Sequence, residues 1–155
     1  NDAAGAIARL DDMGIEPFLI SSSVLCVAAQ RLARKICSKC KEELKISKEA
    51  LIESQMPLKY VEQDVKLYHG KGCRACNNIG YAGRMSLLEV FLINDEIRKM
   101  IVARNTASEI KKVAIAQGMK TLRQVGLLRA REGLITLEEA LRVTSPDEPD
   151  EVPKD

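Results

Sequence analysis

The sequence has no tryptophan, three tyrosines, two phenylalanines and a single histidine. So few aromatics leave few platforms on which unpaired bases would stack, and one histidine assembles neither a Ser-His-Asp triad nor a histidine-based zinc hydrolase. Charge of one sign is also lacking, since 24 Lys and Arg against 22 Asp and Glu give only +2. That field is too weak to recruit a phosphate backbone, so nucleic acid is not an expected partner. No apolar run approaches membrane-spanning length, and the most apolar stretch, Phe18 to Val27, is interrupted by Ser21, Ser22 and Ser23. A phosphate-gripping G-x-x-x-x-G-K-[ST] loop is missing too: Gly70-Lys71 would need a glycine where Val65 stands. Without a signal peptide the chain reads as soluble and cytoplasmic. Its opening Asn1-Asp2-Ala3-Ala4, with no Met, suggests a piece cut from something longer.

What is present fits one moderate core with a small appended unit, given 155 residues, 46% hydrophobic and 30% charged. Asp2 caps an expected helix from Ala3 to Met13, with Gly14 as its left-handed stop, and Pro17 opens a second to about Leu25. The run Val27 to Leu32 stays open between helix and buried strand. Ser47 opens a short helix, Leu87 to Ile93 has strand length, and helices follow. Asn94 or Asp95 starts one to about Arg104, Thr106 with Glu109 and Thr136 with Glu139 have capping-box spacing, and Gly118 and Gly133 mark helix ends. From Ser145 three prolines lie among acidic residues, a composition with little to bury.

Four of the five cysteines form two C-x-x-C pairs, Cys37 with Cys40 and Cys73 with Cys76. A two-residue gap lets one tight turn aim two thiolates at one ion, and two such turns complete the tetrahedron that zinc prefers. Gly72 and Gly80 give the backbone room, and Lys35, Lys39, Lys41, Lys71 and Arg74 offset thiolate charge. Disulfides, free thiols or an iron–sulfur cluster are the alternatives, and structural zinc is the preferred reading. Cys26, on an apolar stretch, is expected in the core. His69 is expected to be an ordinary surface histidine, with a role beside the metal as the alternative.

The order of these landmarks resembles a known family. Met13-Gly14-Ile15-Glu16-Pro17-Phe18-Leu19, Ala29-Gln30-Arg31-Leu32, the two cysteine pairs, Gly80-Tyr81-x-Gly83-Arg84, Gly118-Met119-x-Thr121-Leu122 and Thr136-Leu137-Glu138-Glu139 are similar to the type II secretion and type IV pilus extension ATPases. The resemblance covers about residues 1 to 144. One departure is Ser86, where the family places a glycine.

By this resemblance the chain is α/β with mostly helical content, the C-terminal part of a RecA-like ATPase core. Residues 1–36 would be the last part of that core, 37–76 an inserted zinc subdomain, and 77–93 the return to the core. Residues 94–144 would form a C-terminal helical bundle and 145–155 a disordered acidic tail. The parent would use ATP and Mg2+ in a homohexamer, acting with an inner-membrane platform protein to assemble pilin or pseudopilin subunits. This chain alone would be inactive and monomeric. Arg84 is implied as a nucleotide contact, against a salt bridge to Glu89 or Glu16. Gln30-Arg31-Leu32 is expected to pack in a core rather than face nucleotide. A zinc-ribbon binding module is the competing reading.

Overall fold

Side-chain caps start most helices where the sequence places them. In the computed structural model, which describes residues 2–149, Asp2 accepts from the Gly5 amide and opens α1 (Ala3–Asp12). Gly14 turns the chain at φ +84, and α2 spans Pro17–Ser23. Asn94 opens α5 (Asp95–Val102), and Thr106 opens α6 (Ala107–Ala116) with both bonds of a capping box present. Ser47 opens α3 (Lys48–Glu53). A further turn, α4 (Leu58–Glu62), begins after Pro57 and is too short for periodicity to announce. The last helices are α7 (Leu122–Arg131) and α8 (Leu137–Val143).

The open stretch Val27 to Leu32 is strand, part of β1 (Cys26–Ile36), which pairs with β4 (Tyr81–Leu92) in a two-stranded sheet. The Ile93 amide reaches the Leu25 carbonyl and the Cys37 amide reaches the Gly80 carbonyl, both at 2.9 Å, so the strands run in opposite directions. A second sheet pairs β2 (Lys41–Leu44) antiparallel with β3 (Leu67–Gly70), from Lys41 opposite Gly70 to Leu44 opposite Leu67.

Two compact units result, and β1 and β4 contribute to both. The first comprises Asn1–Gln30 and Leu88–Thr121. Its core gathers Ala3, Ala4 and Ile7 of α1, Ile20, Phe91 and Ile93, Ile97 and Ile101 of α5, and Ile110 and Ala114 of α6. Glu89, 1% exposed, turns its carboxylate to the Ala3 amide at 2.8 Å. A buried acid thus satisfies an amide that a helix start leaves without an intrahelical partner. Cys26 does not join this core. It is exposed, because inward and outward positions alternate along a strand and it falls on the outward side. Leu32, 53% exposed, also stays out of a core.

The second unit comprises Arg31–Leu87 and Leu122–Asp155, its described part ending at residue 149. Gly126 of α7 lets α8 approach closely, since a Cβ there would meet that of Ala140 at 3.3 Å. The Ile36 amide bonds the Leu134 carbonyl at 2.9 Å, tying the α7–α8 turn to β1. Thr136 accepts from the Glu139 amide as a cap should. The return half of that expected box is absent, because Glu139 is taken elsewhere. Fully buried, it accepts from Arg34 Nε and Nη2 at 3.0 and 2.8 Å, from the Arg34 amide at 2.8 Å, and from Arg142 at 2.8 and 2.6 Å. Arg34 also stacks on Tyr81, 4.1 Å from the ring centre. At the start of the acidic tail, Asp147 is buried and its backbone is bracketed by the Gln55 amide group at 2.8 Å on each side. The remainder of that tail, residues 150–155, lies outside the described residues.

Burial alone would push the Glu139 carboxyl up, but the hydrogen bonds from Arg142 and Arg34 outweigh it and hold it at about 2. A carboxyl lowered on folding contributes stability that is present above its unfolded value and lost as pH falls through the folded one. The second unit should therefore weaken as pH drops from about 4.5 towards about 2, by roughly 2 kcal/mol once solvent screening of the half-exposed guanidiniums is allowed for. Urea melts across that range should show the decline, and Glu139→Gln should start less stable and remove this contribution. An unchanged pH slope in the variant would refute it.

Candidate metal centre

The first cysteine turn leaves the end of β1 and enters β2, with the Cys40 amide bonded back to the Cys37 carbonyl at 3.3 Å. The second follows β3 as a 3-10 turn, Arg74–Cys76, in which the Cys76 and Asn78 amides both bond the Cys73 carbonyl, at 3.1 and 2.9 Å. Asn77 and Asn78 take left-handed backbone at φ +51 and +60, which short amide side chains tolerate better than most. The β2–β3 register puts the two turns side by side, and the Lys71 amide closes the end by bonding the Cys40 carbonyl at 3.1 Å.

All four sulfurs lie within 4.8 Å of one another. Three of the separations are resolved: Cys37 to Cys73 at 3.9 Å, Cys40 to Cys76 at 3.8 Å and Cys73 to Cys76 at 3.8 Å. A tetrahedron of thiolates about 2.3 Å from a zinc ion has edges of about 3.8 Å, so the donor set fits such an ion. Cys37, Cys40 and Cys76 are buried and Cys73 is partly open. Burial pushes the Cys76 thiol up, but the Cys73 and Gly80 amides, each 3.3 Å from its sulfur, outweigh this and hold it below the usual range. Amides aimed at a sulfur stabilise the thiolate, the form a metal takes. With four sulfurs as donors no position remains for a catalytic water, so an ion here would be structural.

His69 lies outside this donor set. It stands on β3 with Nε2 3.1 Å from Glu42 on the neighbouring strand, about one-third exposed. Lys71 joins the same carboxylate at 3.7 Å and Lys41 stacks on Tyr68 at 4.3 Å, so two of the expected lysines have local partners. Arg84 is exposed on β4. Gly70 matters for a reason other than a phosphate loop: a side chain there would collide with the Gly80 carbonyl, and one at Gly80 with the Gly70 carbonyl. Only spatial proximity reveals that contact.

A family profile described as type II/IV secretion system protein matches residues 1–142. The chain belongs to the type II/IV secretion system protein family. Among family relatives, it is 48% identical over 145 residues to a type IV pilus assembly ATPase PilB of Thermus thermophilus, covering 93% of this chain and 16% of that protein. It is 40% identical to a PilB of Myxococcus xanthus over 95% of this chain and 26% of the relative. With a type II secretion system ATPase E of Vibrio cholerae it shares 41% identity over 93% of this chain and 28% of the relative. The chain thus spans between 16% and 28% of the length of these relatives. β4 runs unbroken through Ser86, from Tyr81 to Leu92. Among the described residues no helix is long and apolar enough to cross a membrane.

Gly80 and Gly14 both have positive φ, +76 and +84, but nothing lies within 4 Å of a Cβ built at Gly14. Gly14→Ala should therefore cost only the left-handed penalty, about 1 kcal/mol. Gly80→Ala adds the backbone collision and displaces an amide from Cys76, and should cost several-fold more. Thermal melts of the two variants check this. Equal losses would show that the close approach of Gly70 and Gly80 does not matter.

Proposed function

We propose that this chain is the C-terminal region of a secretion or pilus-assembly motor ATPase, with a structural zinc ion held by Cys37, Cys40, Cys73 and Cys76. The observation that carries the reading is the match running from residue 1 to 142, through both cysteine pairs, to a family whose relatives are named as such ATPases. In this reading, residues at the start of the chain and around β4 complete a RecA-like core, and the later helices form a bundle on it. The parent protein works as a homohexamer in the cytoplasm at the inner membrane, against a platform protein that receives pilin or pseudopilin. ATP and Mg2+ are gripped by parts of the parent outside this chain. Arg84, exposed on β4, is the residue here proposed to reach nucleotide.

Phosphoryl transfer needs amides and a lysine around the phosphates, a held magnesium ion and an oriented water. The chain carries no phosphate loop of that kind. Phosphate release from Mg-ATP is therefore expected from the protein encoded by the full reading frame and not from this chain. Arg84→Ala in the longer protein should raise KM for ATP while its metal content stays the same. Turnover by this chain that survives further purification, or none from the longer protein, would overturn the reading.

A further inference from the structure

Beyond α8 the chain continues in extended backbone, with Thr144 at φ -127 and ψ 143, and Pro146 fixes its own φ and biases Ser145 towards extended backbone. Two side chains from elsewhere in the second unit receive this stretch. Arg123, 5% exposed at the start of α7, donates from Nη2 to the Thr144 carbonyl at 2.9 Å and from Nε to the Ser145 carbonyl at 3.3 Å. Burial disfavours its charge, and the Asp147 carboxylate favours it. Gln55 donates from Nε2 to the Asp147 carbonyl and accepts from the Asp147 amide at Oε1, both at 2.8 Å. That is the pair of bonds a neighbouring strand would exchange with the residue opposite. All four bonds end on main-chain atoms of the stretch. Gln55 itself stands at φ +67 where α3 stops, a position at which glycine or asparagine is the usual residue. The turn gives no reason for a glutamine, whereas the bracketing of Asp147 does.

We propose that Gln55 and Arg123 form a peptide-binding site that reads main chain, filled in cis by residues 144–147, and that this strap fastens the excursion between β2 and β3 to α7. The ligand class is an extended peptide with a proline before the residue that Gln55 brackets. The excursion has a second tie to the same helix, since Arg131 of α7 lies over Tyr60 of α4, 4.1 Å from the ring centre. A fastening made of a few hydrogen bonds to an extended segment belongs to the part of a fold that opens most readily. The excursion can therefore loosen from α7 while the cysteine turns stay closed. This inference goes beyond the motor reading and stands without it.

Native-state amide exchange, read segment by segment, tests it. Gln55→Gly relieves the left-handed backbone at the end of α3, so a residue that served only the turn would leave exchange in α3 and α4 unchanged or slower. The strap predicts the opposite: amides of residues 48–62 exchange about tenfold faster, while those of β2, β3 and α7 keep their rates and the metal content stays the same. A chain ending at Ser145 should show the same local rise, and a peptide of residues 144–149 added to it should reverse the rise. Unchanged or slower exchange in Gln55→Gly would overturn the inference. So would a rise spread equally over α7 and α8, which would make the strap one part of a single cooperative core, or a truncated chain that the peptide does not protect.

Discussion

Four cysteine sulfurs cannot be held within 4.8 Å of one another in a largely buried setting unless something satisfies them. Four thiols are poor partners for one another, and four thiolates repel. A divalent ion removes the conflict, and the binding free energy of such sites, on the order of 10 kcal/mol, becomes folding free energy. The rest of the second unit is arranged around that constraint. The β2–β3 register, the left-handed Asn77 and Asn78, and the side-chain-free contact of Gly70 with Gly80 all serve to bring the two turns together. The segment between β2 and β3 buries only a few apolar side chains, chiefly Leu51, Met56 and Val61. That is a small core to hold the excursion in place by itself.

A second fixed point stands at Glu139. Its carboxylate binds Arg34 on β1 and Arg142 on α8, so one buried charge joins a strand to the end of a helix. Removing either arginine would leave a buried carboxylate underpaired, which costs far more than the pair itself contributes. The cluster is therefore a source of specificity in how α8 docks, and a point of weakness in acid.

Local chemistry was legible in the sequence wherever a short-range rule applied. Asp2, Ser47, Asn94 and Thr106 cap helices because their side chains reach amides two or three residues away. The cysteine pairs announced a cluster of four sulfurs because two-residue spacing encodes the turn. What sequence spacing could not show is set by partners far along the chain. Cys26 and Leu32 face outward because of which side of β1 meets the core, and Glu139 leaves its capping box because Arg34, 105 positions away, competes for it. Gly70 earns its place only through Gly80. Pattern reading also left Val27 to Leu32 undecided, since a short apolar run has no period of its own, and its pairing with β4 decides it.

The central claim is that the four sulfurs hold one tetrahedral zinc ion. X-ray absorption at the zinc edge, on protein purified without added metal, tests it most directly. The account predicts one zinc per chain with four sulfur neighbours at about 2.3 Å and no nitrogen or oxygen ligand. A sulfur count below four, a histidine in the shell or a chain that folds equally well with no metal would contradict it.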